Sequence, residues 1–141
     1  MSVTVTRAAT LIGGSFGKMA ARPTKNQPFR ARLGFAMAGL RWAIRAERSL
    51  RSQLTIAVAV LLALCLVRPP PIWWAVILLA MAAVLTAELL NTALERLIDH
   101  LQPAIHPEIQ VVKDCAAAAV LVMAGGAVCA AAALAVSLAI P

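Results

Sequence analysis

The chain alternates between long uncharged blocks and short segments that carry nearly all of its charge. Residues 115–140 contain no charged side chain and are long enough to cross about 30 Å of hydrocarbon. Residues 69–87 are also uncharged, whereas the uncharged block 52–67 is short for a membrane span. The pattern predicts three transmembrane helices, at about 52–67, 72–94 and 115–140.

A basic amphipathic pattern precedes the first span, over residues 28–51. Apolar residues recur there at helical spacing (Leu33, Met37, Leu40, Ile44), and arginines line a neighbouring face (Arg41, Arg45, Arg48). This is typical of a helix that lies on the inner membrane surface. Residues 1–27 lack a sustained apolar core, so we expect a flexible cytoplasmic tail and not a signal peptide. The predicted architecture is all-α, with one membrane domain over 28–141.

Composition and charge support a membrane protein and fix its expected orientation. Hydrophobic residues make up 62% of the 141, charged residues only 13%, and the mean hydropathy is +0.85. Ten of the 13 Lys and Arg residues precede the first span, which places the N-terminus in the cytoplasm and the C-terminus outside. The net charge of +7 is explained by this orientation and by anionic headgroups. No base-reading or stacking groups accompany it, so nucleic acid is not an expected partner.

A stripe of polar side chains follows the second uncharged block. At 100° per residue its five members share an arc of about 100° on one helix face: Glu88, Asn91, Thr92, Glu95 and Asp99. Polar groups in or near hydrocarbon are costly, so the stripe is a candidate functional site. From Ile72 to Glu88 a helix rises about 24 Å, which puts Glu88 near the inner edge of the hydrocarbon. Glu95 lies about 10 Å further on, where a water-soluble phosphate donor could arrive.

Two other classes of protein fit such a stripe. A transporter uses an intramembrane Glu, but usually with four spans and with the acid at mid-bilayer. A structural membrane protein would use the stripe only to hold subunits together, through pairs such as Asp99 with Arg96 or Arg41. The small-residue face around Gly125 and Gly126 also predicts self-association. Glu47, the only acid near six arginines, has a simple interpretation as a local salt-bridge partner.

The segment from Glu88 to Glu95 with Asp99, followed by Lys113-Asp114, resembles the small prokaryotic diacylglycerol kinases, which include undecaprenol kinases. Gly39-Leu40-Arg41 leading to Glu47 and Arg51 is a further match. The resemblance implies a homotrimer in the bacterial inner membrane that transfers the γ-phosphate of MgATP to a lipid hydroxyl. Diacylglycerol and undecaprenol both remain open as substrates.

The resemblance also implies roles for single residues, as follows. Glu88 matches the general base and Asn91 an active-site amide. Glu47 and Glu95 match the carboxylates that hold Mg²⁺ and nucleotide, while His106, Lys113 and Asp114 match nucleotide contacts. Arg41, Arg51, Thr92 and Asp99 are expected to support the site. Ser49, Leu50 and Pro28 depart from the pattern of many members.

Overall fold

Four helices make up the structure, a computed structural model that describes residues 28–101 and 106–140. They are α1 (Phe29–Ala46), α2 (Arg48–Val67), α3 (Pro71–Leu101) and α4 (Pro107–Ala139). The described residues contain no strand, so the all-helical prediction is confirmed. The tail predicted over 1–27 lies outside the described residues.

Three of these helices are long and apolar enough to cross a membrane, as the sequence predicted: α2, α3 and α4. The short first block gains length because α2 begins at Arg48 and has 20 residues. At 1.5 Å per residue, α3 is about 46 Å long and exceeds a hydrocarbon layer of about 30 Å. One end of α3 can therefore lie outside hydrocarbon while the rest crosses it.

The chain divides into two compact units, Met1–Met37 and Ala38–Pro141. Of the first unit, residues 28–37 are described, and they contain the start of α1. Its first turn is closed by the amide of Ala31, which donates to the carbonyl of Pro28 at 2.9 Å. All the side-chain contacts reported below lie in the second unit.

The helix predicted over 28–51 is interrupted at Glu47, which separates α1 from α2. Glu47 has an extended backbone (φ −105°, ψ 125°), and its side chain makes no capping hydrogen bond to α2. The guanidinium of Arg51 instead donates to the carbonyl of Arg45 at 2.9 Å, satisfying one carbonyl at the end of α1. No glycine or proline marks this position, and for that reason the periodicity alone did not reveal the break.

Prolines stand at the first position of α3 and of α4, and α4 begins earlier than the predicted span. The sequence predicted spans at about 72–94 and 115–140, whereas α3 continues to Leu101 and α4 begins at Pro107. A proline is well tolerated at the first helical position because its missing N–H would have no partner there. Helix α2 ends at Arg68, which lies in the left-handed region (φ 51°) and whose N–H donates to the carbonyl of Leu64 at 2.8 Å.

Helix α3 packs against both α2 and α4 and is the centre of the fold. The buried apolar core is small: Ala43, Leu50, Ala57, Leu64, Ile77 and Ile98. Helix α4 has no buried residue at all, and large apolar side chains such as Leu121 and Val122 are exposed. Such extensive apolar exposure suits helices that face lipid or other helices rather than water.

Candidate functional site

Glu88 is a buried carboxylate held by two donors from the neighbouring helix. Only 4% of the residue is exposed. The Ser49 hydroxyl donates to Oε1 of Glu88, and Nε2 of Gln53 donates to Oε2 at 3.1 Å. Ser49 and Gln53 are four residues apart on α2 and therefore share a helix face. Thr92, one turn after Glu88, is equally buried, so this part of the polar stripe faces the protein interior.

Asn91 connects the buried part of the stripe to Glu95. Its Nδ2 donates to Oε1 of Glu95 at 3.0 Å, along the same helix. Its Oδ1 is buried without a hydrogen-bond partner, which is costly for an amide oxygen. Glu95 itself is half-buried. The Asn91 amide therefore orients the Glu95 carboxylate through its nitrogen, and its oxygen remains as an unused acceptor beside Glu95.

Glu47, at the break between α1 and α2, is brought to the exposed part of α3. Its Oε1 lies 3.4 Å from Nη2 of Arg96, the residue that follows Glu95. The Arg96 guanidinium also stacks on Trp42, 4.8 Å from the ring centroid. The sequence allowed Glu47 to be a salt-bridge partner, and the structure shows such a pair, although with Arg96 on α3 and not with an arginine of its own segment.

Two further polar contacts lie where α3 and α4 approach each other. Nζ of Lys113 lies 2.5 Å from Oδ1 of Asp99 and so joins α4 to α3. Asp114 accepts a hydrogen bond from Gln110 at 2.8 Å. Within one chain Asp99 contacts Lys113 and Arg96 contacts Glu47, while the pairing of Asp99 with Arg96 between subunits stays a prediction.

The remaining predicted site residues have structural contacts of their own. Nδ1 of His106 accepts from the amide of Glu108 at 3.3 Å and caps the start of α4. Arg51 binds a carbonyl of α1, as described above. Arg41 is exposed on α1. The structure therefore brings Glu47 to Arg96, the residue after Glu95, and joins Lys113 to Asp99. His106 and Arg51 have roles in the helix ends.

Sequence reasoning gave no site role to the residues that contact Glu88, Glu47 and Asp114, which are Ser49, Gln53, Arg96 and Gln110. Trp42, which stacks on Arg96, was missed as well. Ser49 had been noted only as a departure from a pattern. A usable signal exists for the first two, since Ser49 and Gln53 form a polar i, i+4 pair at the start of an otherwise apolar helix. Nothing in the sequence indicates that α2 packs with this pair against Glu88.

The carboxylates suit a metal that arrives with a phosphate ligand. Within residues 28–101 and 106–140 no three His, Cys, Asp or Glu side chains converge as a metal cage. Mg²⁺ is commonly held by one or two carboxylates together with substrate phosphates and water. Glu47 and Glu95 each use Oε1 in the contacts above, which leaves a second oxygen on each carboxylate. Each of these carboxylates could offer one oxygen to a Mg²⁺ ion whose other ligands are phosphate and water.

Comparison with known proteins identifies the family of the chain. The prokaryotic diacylglycerol kinase family profile matches residues 34–135. The chain belongs to this family. It is similar to a diacylglycerol kinase of Synechocystis sp., with 39% identity over 95 residues, which are 67% of this chain and 54% of that protein.

A second relative carries a different name. An undecaprenol kinase of Bacillus subtilis is 39% identical over 80 residues, which are 57% of this chain and 65% of that protein. The chain thus spans about half to two thirds of the length of these two relatives. No solved structure shows a significant match to the chain.

Proposed function

We propose that this protein is a membrane lipid kinase that transfers the γ-phosphate of ATP to the hydroxyl of a lipid alcohol. One observation carries the proposal beyond family membership. Along α3 a buried carboxylate, Glu88, is followed two turns later by Glu95, and Glu47 reaches the adjacent residue Arg96. A lipid hydroxyl and a charged nucleotide need two such environments side by side, one dry and one open.

Each carboxylate has a distinct task in this reaction. Phosphoryl transfer depends mainly on positioning and on charge stabilisation. Glu88 accepts the proton of the lipid hydroxyl as that oxygen attacks the γ-phosphorus. Mg²⁺, when bound by Glu47 and Glu95 with the nucleotide phosphates, neutralises charge on the transferring group.

Side chains at the end of α3 and in the first turns of α4 complete the nucleotide site. Lys113 supplies a positive charge to the triphosphate, and Asp99 holds that ammonium before nucleotide binds. His106 and Asp114, at the start of α4, contribute further nucleotide contacts. Asn91 keeps the Glu95 carboxylate in place.

The membrane arrangement follows from charge and length. The N-terminus lies in the cytoplasm of a bacterial cell, α1 lies basic face down on the inner leaflet, and the C-terminus is outside. The exposed apolar surface of α4 is covered by lipid and by other copies of the chain, which we propose form a homotrimer. The partners are therefore ATP, the lipid substrate, the membrane and further copies of the chain.

Diacylglycerol is the proposed substrate, because the relative with the longer match is a diacylglycerol kinase. Undecaprenol is a second candidate, because an undecaprenol kinase is equally identical over its shorter match. Both are alcohols with one free hydroxyl, and the proposed chemistry is the same for each.

The test is a phosphoryl-transfer assay on the purified full chain in mixed micelles. Radiolabelled ATP and Mg²⁺ are supplied with diacylglycerol or with undecaprenol, and labelled lipid and ADP are measured. The matched control is a diacylglycerol whose free hydroxyl is methylated, which should give no labelled lipid. Labelled lipid from only one alcohol identifies the substrate. ATP hydrolysis without any labelled lipid, or no ATP consumption with either alcohol, would contradict the proposal.

A further inference from the structure

We propose that Ser49 and Gln53 are positioning residues that together orient the Glu88 carboxylate for phosphoryl transfer. We call this pair with its two hydrogen bonds the Glu88 clamp. The inference rests on the proposed function, because it assigns a role in that reaction to two residues outside the acidic stripe. It is carried by the contacts of Glu88 across the α2–α3 interface.

The clamp restrains both oxygens of the carboxylate. Ser49 donates to Oε1 and Gln53 donates to Oε2, so rotation of the carboxylate would break two hydrogen bonds at once. Hydrogen bonds to ionised groups are about twice as strong as those between neutral groups. Glu88 is 4% exposed, so its carboxylate has little contact with water, whereas Gln53 is half-buried and Ser49 is exposed. Loss of a donor would therefore change the orientation of the carboxylate and leave the chain otherwise folded.

The Gln53 amide presents its nitrogen to Glu88 and leaves its oxygen without a hydrogen-bond partner. Its Oε1 is buried without a partner, which costs free energy. Reversing the amide would set this oxygen against a carboxylate oxygen and lose the donor. The rest of the neighbouring cavity, about 270 Å³ between α2, α3 and α4, is lined by apolar residues. Gln53 is the polar residue of that lining, and its amide nitrogen donates to Glu88, which lies outside the cavity.

The clamp is also built on a rigid support. Leu50, between the two donors in sequence, is 1% exposed and fixes the rotation of α2 against its neighbours. Both donors lie in the first two turns of α2, which begins one residue after Glu47. The same short segment therefore carries a proposed metal ligand and the groups that hold the proposed base. Efficient phosphoryl transfer requires that the reacting carboxylate be held in place by side chains that are themselves fixed by packing.

The kinetic test compares Ser49→Ala and Gln53→Met with Ser52→Ala as the matched control. Ser52 lies on the same helix and is exposed, and its hydroxyl donates to the backbone carbonyl of Arg48. Because a displacement of about 1 Å can lower a rate about 100-fold, we expect kcat to fall by about 10- to 100-fold in the first two variants. Their KM for MgATP should stay within about twofold of the unmodified chain, because ground-state binding is untouched. Ser49→Thr keeps the hydroxyl and should restore most of kcat.

A second measurement observes the carboxylate directly and does not depend on turnover. The infrared carboxylate band of Glu88 is obtained by subtracting the spectrum of a Glu88→Gln protein with isotope-labelled glutamate. The band should shift in Ser49→Ala and in Gln53→Met and stay in place in Ser52→Ala.

The outcomes separate this inference from the proposed function. If the unmodified chain phosphorylates lipid but Ser49→Ala and Gln53→Met keep kcat within about twofold, the clamp has no role in transfer. If no lipid is phosphorylated at all, the proposed function fails, and the infrared band still decides whether the clamp exists. An unshifted band in both variants would overturn it.

Discussion

Glu88 and Glu95 lie seven residues apart on one helix, but the two carboxylates have different kinds of surroundings. Glu88 is 4% exposed and accepts hydrogen bonds from two side chains of α2. Glu95 is half-buried and contacts Asn91 of its own helix. Beyond Glu95 the polar groups are exposed ion pairs: Arg96 with Glu47, and Lys113 with Asp99.

The two regions differ in how easily water or a ligand can replace a protein partner. A contact made in a buried environment has no water to take its place, so removing one partner is expensive. An exposed ion pair is solvated on both sides and contributes about 0–1 kcal/mol to stability. The Glu88 region is therefore suited to holding one fixed geometry. The Glu47, Glu95 and Asp99 region is suited to exchanging protein partners for a metal and phosphates.

The largest expected effect comes from the buried carboxylate. Glu88→Gln keeps the volume and removes the proton acceptor, so kcat for lipid phosphorylation should fall by about 100- to 10,000-fold. Binding of MgATP, measured by equilibrium titration, should change little because Glu88 lies in the dry region.

The matched control for this substitution is Glu108→Gln. Glu108 is an exposed acid in the first turn of α4, so the same change of charge should leave kcat nearly unaltered. Near-normal turnover in Glu88→Gln would remove the assignment of Glu88 as the base and make the contrast between the two carboxylates a matter of packing alone.

A smaller effect is expected at Glu95 and Glu47, and it concerns the Mg²⁺ dependence of the activity. Glu95→Gln should raise the Mg²⁺ concentration for half-maximal activity by at least about tenfold, because even outer partners of metal ligands are worth 10- to 100-fold. The measurement is a Mg²⁺ titration at saturating ATP and lipid, with Glu47→Gln in parallel. Glu108→Gln again controls for the lost charge. An unchanged Mg²⁺ dependence in both Glu95→Gln and Glu47→Gln would rule out the metal role.

The sequence predicts the helices better than it predicts their contacts. Uncharged blocks are long enough to identify α2, α3 and α4, because a membrane span requires an apolar run. The break at Glu47 was missed, since its backbone conformation depends on tertiary contacts such as the pair with Arg96 and not on a glycine or proline.

The same limit applies to the site. Helical spacing placed Glu88, Asn91 and Glu95 on one face, because the geometry within a helix follows from residue numbers. Spacing could not show that Ser49 and Gln53 of another helix meet Glu88, nor that Asp99 meets Lys113 within one chain. Contacts between helices depend on rotation and register, which a single sequence leaves open.

The smallest effect is expected from Arg96, which bridges Glu47 and Trp42. Its side chain is 56% exposed and its distance to Glu47 is 3.4 Å, so water screens the pair. Arg96→Gln should lower the free energy of unfolding by no more than about 1 kcal/mol, combining a surface ion pair with an exposed cation–π contact. Denaturant titration in micelles measures this, and the difference should shrink as salt is added. Arg48→Gln removes the same charge from an exposed position on α2 and serves as the control. A loss of kcat in Arg96→Gln as large as in Glu88→Gln would mean that Arg96 contacts the reacting phosphate, and the exposed ion pairs could then no longer be regarded as replaceable.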